Sequence, residues 1–528
     1  MNPLDPASPA PARPTKRWRV PRHGTAHVPR SSGSRQAFAR SVLARSLLAF
    51  GLLTVSGLRA DVRCAAVFGD HMVLQRGQTV PIWGTAAPGE PVRVEFAGQF
   101  RTMTTTAAGT WRTELDPMAA NSDPRTLTVR GRNTLRLSDV LVGEVWLCSG
   151  QSNMEKPVGP RPGQRPTDHY REEIAWAFHP LVRLYQVPHF GRPDPAVAGL
   201  RWLACTPASL TETNFSAAAY FFGSELQRVL GVPVGLIHSS FGGTRIEAWM
   251  PPEAFAGDPR LRPLAQAKYE AYVPGVQATE LYRSMIAPFA PFALRGFLWY
   301  QGEANVLNAE SDVYTVKMRA LIESWRAAWR EPEAPFDYVL LAPFDYSRWD
   351  KFAKHLTPEA LPLIWEAQTR ALAIPRTGLV VTTDLVADRH DIHPTDKREV
   401  GLRLAHLALS DTYGYERIPA HSPAFAAMRI LEGGAVEISF RDTGGSLASS
   451  DGRPLREFSV AGDDRRFAPA EAKIAGDRVL VQSPLVKKPA AVRFAWEETA
   501  NPNLGNAAGL PAIPFRSDTW PVAAERPK

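Results

Sequence analysis

Residues 145–154 read VWLCSGQSNM. Four apolar residues, Val145 to Cys148, run without interruption into Ser149, Gly150, Gln151, Ser152 and Asn153. A short apolar run bounded by turn residues has the signature of a buried strand. Burying hydroxyls and amides without partners is costly, so such a strand has no packing reason to end in them. The stretch is either a plain turn or a device that presents Ser152 to a substrate. The rest of the chain has to decide.

Three more strand ends resemble it. VGLIHSS (234–240) runs into FGGTRIEAW (241–249), and GFLWY (296–300) into QGEAN (301–305). GLVVTTDL (378–385) runs into VADRHDIHP (386–394), followed by the helical TDKREVGLRLAHLAL (395–409). Between them lie helical patterns such as AAAYFFGSELQRVLG (217–231) and VYTVKMRALIESWRAAWR (313–330). Strands alternating with helices predict a mostly parallel sheet covered by helices. In such sheets ligands gather at the carboxyl ends of the strands. Four polar loops far apart in sequence are therefore expected to meet at one edge.

The chain divides into four parts. Residues 1–60 hold ten Lys and Arg against one Asp, whereas 61–528 hold 51 basic and 52 acidic residues. The net charge of +8 thus belongs to the leader. Nothing in the body forms the basic stripe that a nucleic-acid backbone needs. Within the leader, SVLARSLLAFGLLTVSGLRADV (41–62) has an arginine-flanked apolar core from Leu47 to Val55, the layout of a secretory signal. It is short for a membrane span. The expectation is a secreted or periplasmic protein without stable membrane insertion once the leader is removed. Residues 61–140 read as short strands (HMVLQ, VPIWGTA, VRVEF, TLTVRG), a small β domain. Residues 141–425 form the α/β core. Residues 426–528 return to strands (AVEISF, EFSVAG, RVLVQS, AVRFAW), a second β domain whose tail returns to the core. Cys64, Cys148 and Cys205 are odd in number and widely spaced, neither a disulfide framework nor a metal site.

Serine attack on a carbonyl needs a nucleophile, a base, a group that orients the base, and donors for the oxyanion. Ser152 supplies the hydroxyl and His393 the imidazole. Asp391 or Asp388 is the candidate orienting acid. Two residues before the histidine on an extended loop, Asp391 is favoured. The loops of Gly242, Gly243, Gln301, Gly302 and Asn305 offer amide donors. Arg245 follows a strand end where its guanidinium could meet a carboxylate on a sugar; the competing reading pairs it with Glu247. Trp146, Trp249 and Trp299 read as core, with stacking on sugars as the alternative. The G-x-S-x-G elbow of α/β-hydrolases is not met, because Met154 stands at the second glycine.

Taken in order, VWLCSGQSNM, FGGTRIEAW, FLWYQGEAN and DIHPTDKREVGLRLA resemble the sialate O-acetylesterase family within the SGNH/GDSL hydrolases. FGDHMVLQRGQTVPIWGTAAPGEPV (68–92), LREFSVAGDDRRFAPAEAKI (455–474) and AGLPAIPFRSDTW (508–520) extend the likeness over about residues 64–520. The resemblance implies a flavodoxin-like three-layer α/β/α core flanked by β-sandwich-like domains. It implies hydrolysis of O-acetyl esters on sugars, without metal, nucleotide or other cofactor. Carried over by position, Ser152 matches the nucleophile and His393 the base; Ser152, Gly243, Gln301 and Asn305 match the oxyanion hole. Gln151, Arg245 and Glu303 are the candidate substrate contacts. Many SGNH enzymes carry their acid three residues before the histidine, where this chain has His390. The expected partner is an acetylated carbohydrate, and the oligomeric state stays open. Two other readings compete: an acetylesterase for xylan or another plant polysaccharide, and an inactive carbohydrate-binding protein.

Overall fold

The computed structural model describes residues 61–189, 200–267, 276–349 and 354–526. The expected secretory leader lies outside the described residues. The central sheet is built around one strand of 17 residues, Thr134–Gly150. Its second half pairs in parallel with Val234–Ser240 on one side and Gly296–Tyr300 on the other. His179–Gln186 adds in parallel beyond Val234–Ser240, and Phe336–Val339 and Thr377–Val380 beyond Gly296–Tyr300. Trp202–Cys205 closes one edge in the antiparallel sense. Among these core strands the first in sequence therefore lies inside the sheet, with later strands added on both sides, as in doubly wound folds.

Residues buried on both faces explain the unbroken apolar runs. Val145, Trp146, Leu147 and Cys148 are all fully buried. Trp146 is level with Gly296, three residues before Trp299, so alternation points the two indoles to opposite faces. Trp146 meets Phe222 of helix Ala217–Leu230, with ring centroids 5.1 Å apart. Trp299 meets Trp325 of helix Ser311–Trp329 at 5.6 Å. Helices thus cover both faces. Ala217–Leu230 packs beside Lys397–Asp411, and Ser311–Trp329 beside Ala360–Ala371. Trp146, Trp249 and Trp299 are all fully buried, which fits core packing and leaves no face for a sugar. Cys64, Cys148 and Cys205 are free thiols, and burial pushes all three above the ordinary thiol range.

At residue 140, where the sequence suggested a boundary, the backbone does not pause. The first half of Thr134–Gly150 pairs antiparallel with Asn121–Arg130, while Val73–Gln75 lies parallel to Leu141–Gly143. A buried carboxylate fastens this junction. Glu144 accepts from Gln75 Nε2 (2.9 Å), Arg76 Nε (2.5 Å) and Arg295 Nε (2.8 Å). Burial alone would raise its pKa, but the Arg295 guanidinium and the hydrogen bonds bring it below the usual range. The carboxy-terminal part forms two four-stranded sheets and a two-stranded ribbon. The described residues form one compact unit.

Candidate active site

Three central strands end level with one another: Gly150 is in register with both Ser240 and Tyr300. The ladder runs one step into the loops, with Phe241 N–H donating to Gly150 O (3.1 Å) and Gln151 N–H to Tyr300 O (2.9 Å). Gly150 has φ +139°, and a Cβ there would collide with the Tyr300 carbonyl. Only glycine can make this turn. It delivers Ser152 as the first residue of a one-turn helix, Ser152–Glu155.

Ser152 and His393 line one cleft of about 390 Å³, together with Gln151, Glu155, Gly243 and Glu303 among others. That volume lies within the ordinary range for small-molecule sites. Trp349, Leu307 and Ile392 supply apolar wall; Arg161, Gln164 and His189 supply polar wall. Among the described residues, the N–H groups of Ser152 and Gly243 have no protein acceptor. Gly243 has φ +71°, a conformation that turns the backbone sharply after Gly242.

The His393 loop is held from below. Asn153, next to the serine, donates to Ile392 O (2.9 Å) and to Glu303 Oε1 (2.5 Å). Lys397 Nζ donates to Pro394 O (2.8 Å). Burial, with the charges of Lys397 and Lys156, pushes the His393 imidazole down to about 4. Burial raises Glu303 to about 6 and lowers Lys397 to about 7. His393, Glu303 and Lys397 are thus each drawn toward neutrality, as groups in catalytic sites often are.

Asp391 Oδ1 accepts the backbone N–H of His393 (2.9 Å), and its Oδ2 lies 3.8 Å from Arg165 Nε. Asp388 accepts from His390 N–H (2.9 Å) and pairs with Arg165 Nη2 (2.6 Å). The following helix is capped by Asp396, which accepts from Glu399 N–H (3.0 Å), so Asp391 is not its cap. His390 meets Asp345 (3.3 Å).

The remaining candidates separate into those on the cleft and those beneath it. Gln151 and Glu303 line it, both nearly fully buried. Gln301 and Asn305 do not. Gln301 Nε2 donates to Asn305 Oδ1 (2.7 Å), Thr244 O (3.1 Å) and Gln151 Oε1 (3.1 Å). Asn305 Nδ2 donates to Glu310 Oε2 (2.7 Å) and Glu247 Oε2 (3.1 Å). With those hydrogens engaged, neither side chain is placed to hold an oxyanion; they brace the loops that carry Gly243 and Gln151. Arg245 is likewise drawn inward. It pairs with Glu247 (3.1 Å) and Glu310, and Lys317 Nζ completes the cluster at 2.6 Å from Glu247. The local pairing with Glu247 considered from the sequence is the one formed, and Arg245 is not among the cleft-lining residues. Removing Arg245 should leave two carboxylates facing Lys317. Arg245→Ala is expected to destabilise the fold by about 3 kcal/mol. Any change in kcat/KM should be equal on charged and neutral acetylated sugars. A loss confined to carboxylate-bearing sugars, at unchanged Tm, would restore Arg245 to the substrate.

Residues 142–410 match the family described as carbohydrate esterase, sialic acid-specific acetylesterase. This segment opens inside the central strand and closes in the helix after His393. The chain belongs to that family of esterases. It is a carboxylic ester hydrolase. The enzyme is 30% identical to the sialate O-acetylesterase of Homo sapiens over 499 residues, 86% of this chain and 92% of that one. It is 28% identical to that of Mus musculus over 498 residues, 82% and 89% of the two chains. Among solved structures it resembles a carbohydrate acetylesterase from Xanthomonas citri, with TM-score 0.76 and 36% identity, covering 87% of this chain and 100% of that one. Among the described residues of the enzyme, no group of three or more His, Cys, Asp or Glu could hold a metal ion. No described helix is long and apolar enough to cross a membrane.

One contributor escaped the sequence reading. Glu155, three residues after Ser152, is buried on the cleft floor and bonded to the Gly242 turn. The signal was a carboxylate one helical turn from the serine, in a stretch with no other reason to bury charge.

Proposed function

We propose that the enzyme removes O-acetyl groups from acetylated sugars through an acyl-enzyme on Ser152. The observation that carries this reading is the joint presence, in one cleft, of the Ser152 hydroxyl, the His393 imidazole and two backbone N–H groups without protein acceptors. His393 takes the Ser152 proton as Oγ attacks the acetyl carbonyl. The N–H groups of Ser152 and Gly243 receive the oxyanion. The sugar oxygen leaves with the proton from His393. Water, deprotonated by the same imidazole, then releases acetate and frees Ser152. The names of the relatives favour a sialic acid as the sugar, and an exported protein fits the arginine-flanked apolar leader. Acetate release across acetylated sialic acids, xylan fragments and pectin tests the substrate class. Release from none of them, with p-nitrophenyl acetate also inert, would leave the inactive binding protein as the better reading.

The depressed His393 pKa makes the proposal testable by pH. The imidazole stays neutral, and so able to act as a base, down to about pH 4. The acid limb of kcat/KM is expected near pH 4 rather than near the ordinary histidine value of about 6.5. Stability shifts with the same sign. Between those two values the unfolded chain binds the proton and the folded one does not, so stability should fall as pH falls through this window. The drop in Tm from pH 7 to pH 4.5 should be smaller in His393→Gln. An acid limb at pH 6.5 in the wild type would rule this base environment out.

A further inference from the structure

Glu155 connects the two halves of the oxyanion geometry. It ends the one-turn helix that Ser152 begins. Its Oε2 accepts the N–H of Gly242 at 2.7 Å. A Cβ at Gly242 would lie 2.8 Å from that oxygen and 3.1 Å from Ser152 Cβ, so the turn and the nucleophile helix are in direct contact. Oε1 is held by Arg161 Nη2 (2.7 Å) and His189 Nε2 (3.0 Å). The His189 ring in turn stacks on Phe241, with centroids 4.2 Å apart and planes 12° from parallel. Glu155 is thus clamped at one oxygen and spends the other on a single backbone amide. That amide is the neighbour of Gly243, whose own N–H is left open to the cleft.

We propose that Glu155 is a positioning residue: by engaging the Gly242 N–H it fixes the aim of the Gly243 N–H on the oxygen that develops charge beside Ser152. The inference rests on the reading of Ser152 as nucleophile. The bond is charge-assisted and buried, which makes it stronger and better oriented than one between neutral groups. Without it the Gly242 N–H would compete for the oxyanion and the turn would be free to rotate. The stabilised species exists only in the transition state, so the effect should fall on kcat and leave KM alone.

The test uses the full chain, p-nitrophenyl acetate and an acetylated sugar, with Ser152 labelling by a fluorophosphonate measured in parallel. Glu155→Ala should lower kcat about 10²-fold, the scale of one oxyanion donor, with KM within threefold. Glu155→Gln keeps an acceptor oxygen for Gly242 and should recover at least tenfold of that loss. If the alanine variant does not fold, Glu155→Asp decides: it keeps the charge but falls one methylene short, and kcat should drop at least tenfold at constant KM. The proposal is overturned by a kcat within threefold of wild type in Glu155→Ala, or in Glu155→Asp where the alanine variant is unfolded. A rise in KM at constant kcat overturns it too, as does a glutamine variant no better than alanine. A wild type that is not labelled at Ser152 would instead sink the nucleophile assignment on which it stands.

Discussion

Ser152→Ala is expected to lower kcat for acetyl ester hydrolysis by about 10⁶-fold, the scale of losing a serine nucleophile outright, while Tm stays at the wild-type value. Both halves follow from the site. Ser152 is partly exposed, and among the described residues its hydroxyl makes no hydrogen bond. Its removal leaves no buried group unpaired and no cavity in the core, so stability has nothing to lose. The floor beneath it is set by Asn153, Gln151 and Gly150, which the substitution does not touch. What disappears is the only hydroxyl on the helix that the Gly150 turn presents to the cleft. Acetate release measures the first half and thermal melting the second. A fluorophosphonate adduct should form on the wild type and be absent from the variant. An adduct that persists would place the nucleophile elsewhere.

Asp391→Asn carries the second largest expected effect, a fall in kcat of about 10⁴-fold, against less than threefold for Asp388→Asn. The asparagine can still accept the His393 N–H through its side-chain oxygen, so the loop should keep its shape. What is lost is the charge beside the imidazole. Asp391 holds the His393 pKa up against burial and the two lysines. Without that charge the imidazolium that forms during attack is less stable, and the acid limb of kcat/KM should move lower still. Asp388 is not among the charges named as acting on the His393 imidazole, and its carboxylate pairs with Arg165 and accepts the His390 N–H. An Asp391→Asn variant that keeps more than a tenth of wild-type kcat would make the site a Ser–His dyad. A collapse in Asp388→Asn alone would transfer the role to Asp388.

The strand ends were legible because both their inputs are local. Val145–Cys148 and Gly296–Tyr300 are apolar on consecutive residues, which only a strand buried on both faces requires, and each runs straight into polar residues. That Ser152 and His393 would line one cleft followed from those ends. Gln301, Asn305 and Arg245 went astray for a different reason. Asn305 and Arg245 are held by Glu310 from the next loop and by Glu247, and Gln301 by Thr244 and Gln151 from two other strand ends, and a side chain's choice between cleft and interior is made by tertiary pairing that spacing does not encode. The apparent break at residue 140 has a similar origin. Thr134–Asp139 alternates between exposed and half-buried positions and Val140–Gly150 is buried throughout. One strand thus carries two patterns, and pattern reading divides it in two.

That same strand bears on how the two regions hold together. Its first half belongs to the amino-terminal sheet and its last residue begins the turn that aims the serine. A recombination joint anywhere along it would sever both at once, and Glu144 would lose partners contributed by Gln75 and Arg76 on one side and Arg295 on the other. A cut between the amino-terminal sheet and the core would therefore cost a buried charge pairing as well as a row of backbone hydrogen bonds. In mechanical terms the two regions are one piece, so a load applied to the amino-terminal sheet would reach the serine turn along a single continuous strand.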